Sequence, residues 1–378
     1  MITRDSAGIQ IIESSGPIEA TVGRYRVDSL PFVAVRGTEG GHQGFGGAVL
    51  AAHLREAKFV VADPATRELY LFGDDGQLRG FFGGTGEGPG EYRGINFIGV
   101  LSGDSIGVAD PVLHRFTVLD SAGVAQRTVA LPSAGPVAPF AVNGILADGR
   151  LVATTFFPID WRPIAGVQRD TMPIVVLHPS GAILSTVGQF PGPEGIVSIG
   201  LDNVVSTRKL PFGRLTRQSV LDSFVAVGVG DRPEIVVHAP DGRIVRIIRW
   251  VTPTVEITPG DIADFTRNRL ASAPADPVVR AQLAESIRSA PMPRFKPPYD
   301  LILSRTNGEL WVRQYADPHA RDRPAQWIVF DSSGAWLTRV TLPAGVEPKW
   351  IGADRLLGVW QDQDDLYRVG LFRLRTGQ

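Results

Sequence analysis

Eight side chains in this chain could together bind an anion: Arg93, Asn96, Phe140, Arg214, Tyr299, Arg313, Lys349 and Trp350. Arginine presents paired N–H donors to a carboxylate or phosphate, and aromatic rings supply flat apolar walls. Gathered at one mouth, the set predicts a basic, aromatic pocket for a small anionic or aromatic ligand. The same arginines could instead be spent on neighbouring acids such as Glu91, Asp110 and Asp148. Residue types alone leave both readings open.

Acid–base and metal chemistry have fewer candidates. His178 and His238 fall at equivalent strand ends beside turns and read as structural, and His114 lies in a loop. His42, His53 and His319 are freer; His42 or His319 could act as a general base, with Arg214 stabilising developing negative charge. The histidines form no His-x-x-x-His or His-x-His pair, which excludes a zinc site built from one local element. With no cysteine, disulfides and thiolate metal centres are excluded. No cofactor is evident; calcium is the one ion left open, with Asn96 and Asn143 as candidate oxygen ligands. Asp63 and Asp110 end strands at matching positions, where a carboxylate accepts backbone N–H groups of the next turn. The run Gly83–Gly90 links two strands and has no lysine, so it reads as a tight crossing and not as a phosphate cradle.

Strands must position all of these residues. Phe59–Tyr92 sets the pattern: two apolar runs about a polar gap, an Asp-Gly turn at Asp75-Gly76, then a third run. The pattern recurs at Asp104–Leu131, Asp148–Phe190, Asp222–Trp250, Asn307–Leu342 and Asp354–Arg375. A spacing of roughly 40–50 residues is that of propeller blades. Each unit starts from an inner strand of weak pattern, such as Asn96–Leu101, Leu215–Leu221 or Tyr299–Ser304. The last unit lacks its final strand, which Ile9–Glu13 is expected to supply; Arg24–Val35, with Pro31 inside it, reads as an edge or crossing segment. The expected fold is all-β: one domain over residues 1–378, a six-bladed β-propeller closed by N- and C-terminal strands, with no exposed sheet edge at the join.

Turns between first and second strands, and between third and fourth, are short and share one face. The other face holds Gly83–Glu91, Pro158–Met172, Pro191–Phe212, Thr252–Pro298 and Ala316–Gln326. Long connections on a rigid scaffold are where function concentrates, so the site is expected at the axial mouth on that face. The largest connection is helical, about residues 257–290, between units four and five. Thr258, Pro259 and Asp261 give one helix start, and Asp276-Pro277 another. The pair would overhang the mouth as a lid or fill it as a plug.

A net charge of −1 gives no electrostatic case for nucleic acid or an acidic membrane, and no apolar stretch is long enough to span a bilayer. A monomer is expected. Met1–Asp5 is not a signal peptide, as in an exported chain whose signal is absent.

Gly86-Glu-Gly-Pro-Gly-Glu-Tyr92, Asp104–Asp110, Arg115–Gly123, Gly308–Arg313, Trp327–Asp331 and Leu356–Trp360 resemble bacterial six-bladed β-propeller proteins of the NHL-like and TolB-like superfamily. Asp5–Glu13 resembles the segment that follows their export signal. The resemblance implies a periplasmic or extracellular protein and says little about activity. Propellers of the gluconolactonase and paraoxonase type hold axial calcium with Glu, Asp and Asn. Here the corresponding positions carry Asn96, Phe140, Arg214 and Tyr299, and Gly46–Leu50 offers no carboxylate. Two expectations follow: an extracytoplasmic propeller binding a small molecule or a protein partner on the long-loop face, or a hydrolase of small esters, lactones or phosphotriesters at the same mouth.

Overall fold

The structure is a computed structural model that describes residues 1–18, 24–36, 45–46, 49–133, 140–155, 161–199, 204–317 and 323–377. Six antiparallel sheets follow one another along the chain. Sheet one is Leu50–Leu54, Lys58–Asp63, Glu68–Gly73 and Leu78–Gly83; sheet two is Phe97–Val100, Ile106–Asp110, Arg115–Leu119 and Ala125–Ala130. Sheet three is Phe140–Ile145, Leu151–Thr155, Thr171–Leu177 and Ile183–Pro191; sheet four is Arg217–Leu221, Phe224–Gly228, Glu234–His238 and Ile244–Trp250. Sheet five is Tyr299–Ser304, Leu310–Gln314, Ala325–Phe330 and Trp336–Leu342. Sheet six is Glu347–Ile351, Arg355–Gln361 and Tyr367–Thr376, edged by Tyr25–Val27 and Val33–Val35.

The middle strands are buried on both faces and are near-continuous apolar runs, whereas outer strands such as Leu78–Gly83 alternate. Each first strand lies against the first strand of the next sheet, and that of sheet six lies against that of sheet one. The sheets also interlock at their rims. The third-to-fourth-strand turn of sheet three places Gly181 (φ 94°) so close to the Ala130 carbonyl of sheet two that a Cβ would overlap it. The equivalent turns bring Gly123 onto Phe82, Gly242 onto Val187 and Gly334 onto Ile248, each time on the outer strand of the preceding sheet. Gly76 (φ 79°) repeats the contact on Val33, in the edge strand of sheet six.

The closing strand differs from the sequence expectation. Ile9–Ser14 does not edge sheet six. It pairs in parallel with Ile244–Trp250 of sheet four and forms a hairpin with Ile2–Ser6 outside it. Tyr25–Val27 and Val33–Val35 take the place on sheet six, paired with Tyr367–Thr376, and Pro31 falls in the gap between them, where no ladder donor is needed. Partners decide the exchange. Tyr25 reaches a buried polar network: its hydroxyl donates to Glu309 Oε1 at 2.7 Å and accepts from Arg305 Nη1 at 2.9 Å. Arg305 also donates to the carbonyls of Gly352 and Ala353, so one network joins the N-terminal strand to sheets five and six.

Asp63 and Asp110 have the structural role expected. Asp63 accepts from Ala65 and Gly46 N–H, and Asp110 from Arg93, Gly94, Val112 and Leu113 N–H. The helices are α1 (Pro259–Ala271), with a Thr258–Asp261 capping box, and α2 (Pro277–Arg288), capped by Asp276. Their apolar sides bury Phe265 and Ile287 against Phe212 and Tyr315, beside the starts of sheets four and five. A three-stranded sheet, Gly166–Gln168, Gly195–Ile199 and Val205–Lys209, occupies connections that the sequence reading left as loops.

Candidate functional site

Five charged groups meet where the first strands of sheets four, five and six begin. Arg217 opens the first strand of sheet four, Asp300 is the second residue of sheet five, and Glu347 and Lys349 lie on the first strand of sheet six. Arg313 comes from the second strand of sheet five and holds Asp300 through two hydrogen bonds, 2.6 and 3.2 Å. Lys349 Nζ donates to Glu347 at 2.5 Å. Arg217 donates through Nε to the Asp300 carbonyl at 2.6 Å, and its Nη groups have no hydrogen-bond partner among the described residues.

The electrostatics follow from burial. Burial pushes the Asp300 carboxyl pKa up, and Arg313 pulls it back by charge and hydrogen bonding. Burial also opposes ionisation of Glu347, but Lys349, Arg313 and Arg217 hold its carboxyl below the usual range. Burial lowers the pKa of Arg217; Asp300 and Glu347 oppose the shift without cancelling it, and Arg313 adds to it. By formal charge, three cations (Arg217, Arg313, Lys349) stand beside two carboxylates (Asp300, Glu347), one positive charge in excess.

A cavity of about 330 Å³ opens beside this cluster, between sheets three and four on the long-connection side. Met172, Phe190 and Leu301 give it apolar walls, and Asn143, Arg217 and Gln218 give it polar ones. The Thr154 hydroxyl donates to the Pro173 carbonyl at 2.7 Å and that of Thr216 to the Pro191 carbonyl, so both are spent. The Gln218 side-chain N–H₂ is buried without a partner. A second cavity, about 360 Å³, lies at the outer edge between Met1, Ile2, Ser15 and Val251, where Arg249 is already paired with Glu234 and Glu13.

The sequence candidates disperse. Arg313 and Lys349 belong to the cluster. Phe140 and Tyr299 are buried in the core, where the Tyr299 hydroxyl accepts from Gly230 N–H at 3.1 Å and donates to the Glu234 carbonyl at 3.0 Å. Arg214 spends its donors on Glu194 and Asp231, and Arg93 pairs with Glu87. Trp350 stacks on His53 at 4.1 Å between ring centres, and His53 Nε2 is 3.0 Å from Asp74. His238 and His178 bond within their own turns. His42 and His319 lie outside the described residues. Arg217 and Gln218 were missed, although both fall inside the strand expected at Leu215–Leu221.

The calcium expectation has little support. Asn96 donates to the Val142 carbonyl at 3.3 Å and leaves its Oδ1 buried and unpartnered, whereas Asn143 bonds to the Ala141 carbonyl at 3.2 Å. Among the described residues, no three His, Asp or Glu side chains group as a metal site would require. Arg115 donates to the carbonyls of Glu87, Gly88 and Glu91, so the glycine run turns acceptors, not N–H donors, towards its neighbour.

No protein-family model matches the chain, and no curated protein matches it. Solved structures do. A candidate exported protein of Bacteroides fragilis aligns at 14% identity over 97% of this chain and 100% of its own, with a TM-score of 0.50. A DUF4221-family protein of Bacteroides vulgatus aligns at 10% identity over 94% and 100%, with a TM-score of 0.52. The fold is a β-propeller. A gluconolactonase of Xanthomonas campestris aligns at 13% identity over 88% of each chain, with a TM-score of 0.44, too distant in shape to bear on chemistry. The cavity reaches from the first strands, at Asn143, Arg217 and Leu301, out to Phe190 on the fourth strand of sheet three. No helix among the described residues is long and apolar enough to cross a membrane.

Proposed function

We propose that the chain is one six-bladed propeller domain that binds a small molecule in the cavity beside Arg217. Six antiparallel sheets, the cyclic adjacency of their first strands and the Gly76–Val33 contact support the closed ring. One observation carries the functional reading: Arg217 lines a cavity of about 330 Å³ with its Nη donors unspent. Built polar groups in a concave, largely apolar space are the usual form of a ligand site.

The test is thermal melting of the protein against a chemically diverse panel of small molecules. Ligands of this site should raise the melting point, and Leu301→Trp, which fills the cavity, should abolish those shifts. A panel without effect on the unaltered protein would overturn the reading.

The hydrolase alternative needs a base at this cavity. The described lining carries no carboxylate side chain and no imidazole, and its threonines are committed to carbonyls. Turnover of an ester, lactone or phosphotriester that Leu301→Trp abolishes would restore it. A location outside the cytoplasm rests on the N-terminal resemblance and on likeness to the Bacteroides fragilis protein. Fractionation of cells expressing the native gene tests it.

A further inference from the structure

We infer that the cavity beside Arg217 selects a monocarboxylate with an aromatic or bulky apolar body. The inference rests on the small-molecule reading above and adds the chemistry of the ligand.

Charge comes first. The Arg217, Arg313, Lys349, Asp300 and Glu347 cluster carries one uncompensated positive charge. One negative charge balances it. A phosphate monoester, near −2 at neutral pH, would leave a charge unpaired in a partly desolvated place.

Donor geometry comes next. Arginine's planar fork matches a carboxylate through two parallel N–H bonds. Arg217 spends Nε on the Asp300 carbonyl, fixing the plane of the guanidinium and leaving both Nη groups for a ligand. Gln218, the next residue on the strand, points to the opposite face, and its N–H₂ is sealed within the protein. The remaining hydroxyl donors of the lining, Thr154 and Thr216, are committed. The unspent donors therefore call for acceptors, and a carboxylate offers about four lone-pair directions and no donor of its own.

Shape comes last. Met172, Phe190 and Leu301 form the apolar part of the wall. By water's share of liquid volume, about 30 Å³, the cavity has room for roughly ten waters, space within which a molecule of about ten bonded non-hydrogen atoms fits. Phenylacetate has that size.

The experiment is titration calorimetry on the full chain with phenylacetate, phenylacetamide and phenyl phosphate. Phenylacetate should bind, and the isosteric neutral amide should bind roughly tenfold more weakly or worse, because a charge-assisted pair is lost. Phenyl phosphate should bind more weakly than phenylacetate. Arg217→Gln should lose the preference for carboxylate over amide, and Arg217→Lys, which keeps the charge and loses the fork, should retain part of it. Equal binding of acid and amide would overturn the inference, as would tighter binding of the phosphate or no detectable binding of phenylacetate. An Arg217→Gln protein that melts normally and keeps the preference would also overturn it. The wild-type series alone decides the matter if that variant fails to fold. Equal binding of acid and amide that Leu301→Trp abolishes would leave the cavity reading standing, whereas a silent wider panel would remove both.

Discussion

The hydrogen bond between Arg217 and Asp300 runs to the main chain and not to the carboxylate. The guanidinium donates to the Asp300 carbonyl at 2.6 Å, while the Asp300 carboxylate accepts from Arg313 and from Ala316 N–H. Asp300 therefore anchors two arginines and neutralises one. Asp300→Ala strips buried Arg313 of its counter-charge, and breaking a buried pair from one side costs about 3–5 kcal/mol. Denaturant unfolding should show a loss of that size.

Glu309 offers a test of closure. It accepts from Tyr25, Arg305 and Trp311. Burial opposes its charge, but the hydrogen bonds from Tyr25, Arg305 and Asn307 and the charge of Arg305 hold its carboxyl below the usual carboxylate range. As pH falls, the unfolded chain takes up this proton before the folded one. The group's contribution is thus complete above about pH 4.3 and is lost as pH drops through the lower folded value. Glu309→Gln should cost about 1.5–3 kcal/mol at neutral pH. Melting curves should show the gap between the two proteins narrowing in acid.

His53 adds acid sensitivity at a higher pH. Burial lowers its pKa, with Arg355 adding to the shift and Asp74 opposing it. The folded state prefers the neutral ring, so stability is full above about pH 6.5 and falls as pH drops through the depressed value. His53→Phe keeps a ring against Trp350 and removes the titration. Its melting point should change less between pH 7.5 and 5 than that of the unaltered protein.

Gly228 faces the Tyr299 hydroxyl so closely that an added Cβ would overlap it. Gly228→Ala should destabilise by about 1–3 kcal/mol through overpacking. Tyr299→Phe removes the offending oxygen along with its two hydrogen bonds. Unfolding free energies of the double variant should therefore fall short of the sum of the single costs.

Much of the fold was legible because middle strands such as Phe59–Ala62 are buried on both faces and written as unbroken apolar runs. The closing strand was not. Ile9–Glu13 and Arg24–Val35 are about equally apolar, and what sets the second apart is a tyrosine hydroxyl meeting a carboxylate 284 residues away. The helix pair was legible from its caps, whereas Val205–Lys209 is largely exposed and has no apolar alternation to betray it.

The arginines near the start of sheet four were harder to assign. Arg214 lies three residues ahead of Arg217, outside the strand, and Glu194 claims it. Tyr299 and Asp300 are neighbours on one strand and serve core and cluster separately. First strands packed on both faces give no alternating pattern from which to choose between such neighbours.

The pairing of Tyr25 with Thr376 has a consequence for the order of events during synthesis. About 350 residues separate the two partners. Joining them in an otherwise unstructured chain costs about 5 kcal/mol of loop-closure entropy beyond a constant. At 5–20 residues per second the edge strand leaves the ribosome roughly 20–70 s before its partner exists. Throughout that interval Tyr25 and Val27 lack the strand they pair with. The intervening sheets must assemble first and bring the two segments together, so the hydrogen bonds between Tyr25–Val27 and Tyr367–Thr376 form late.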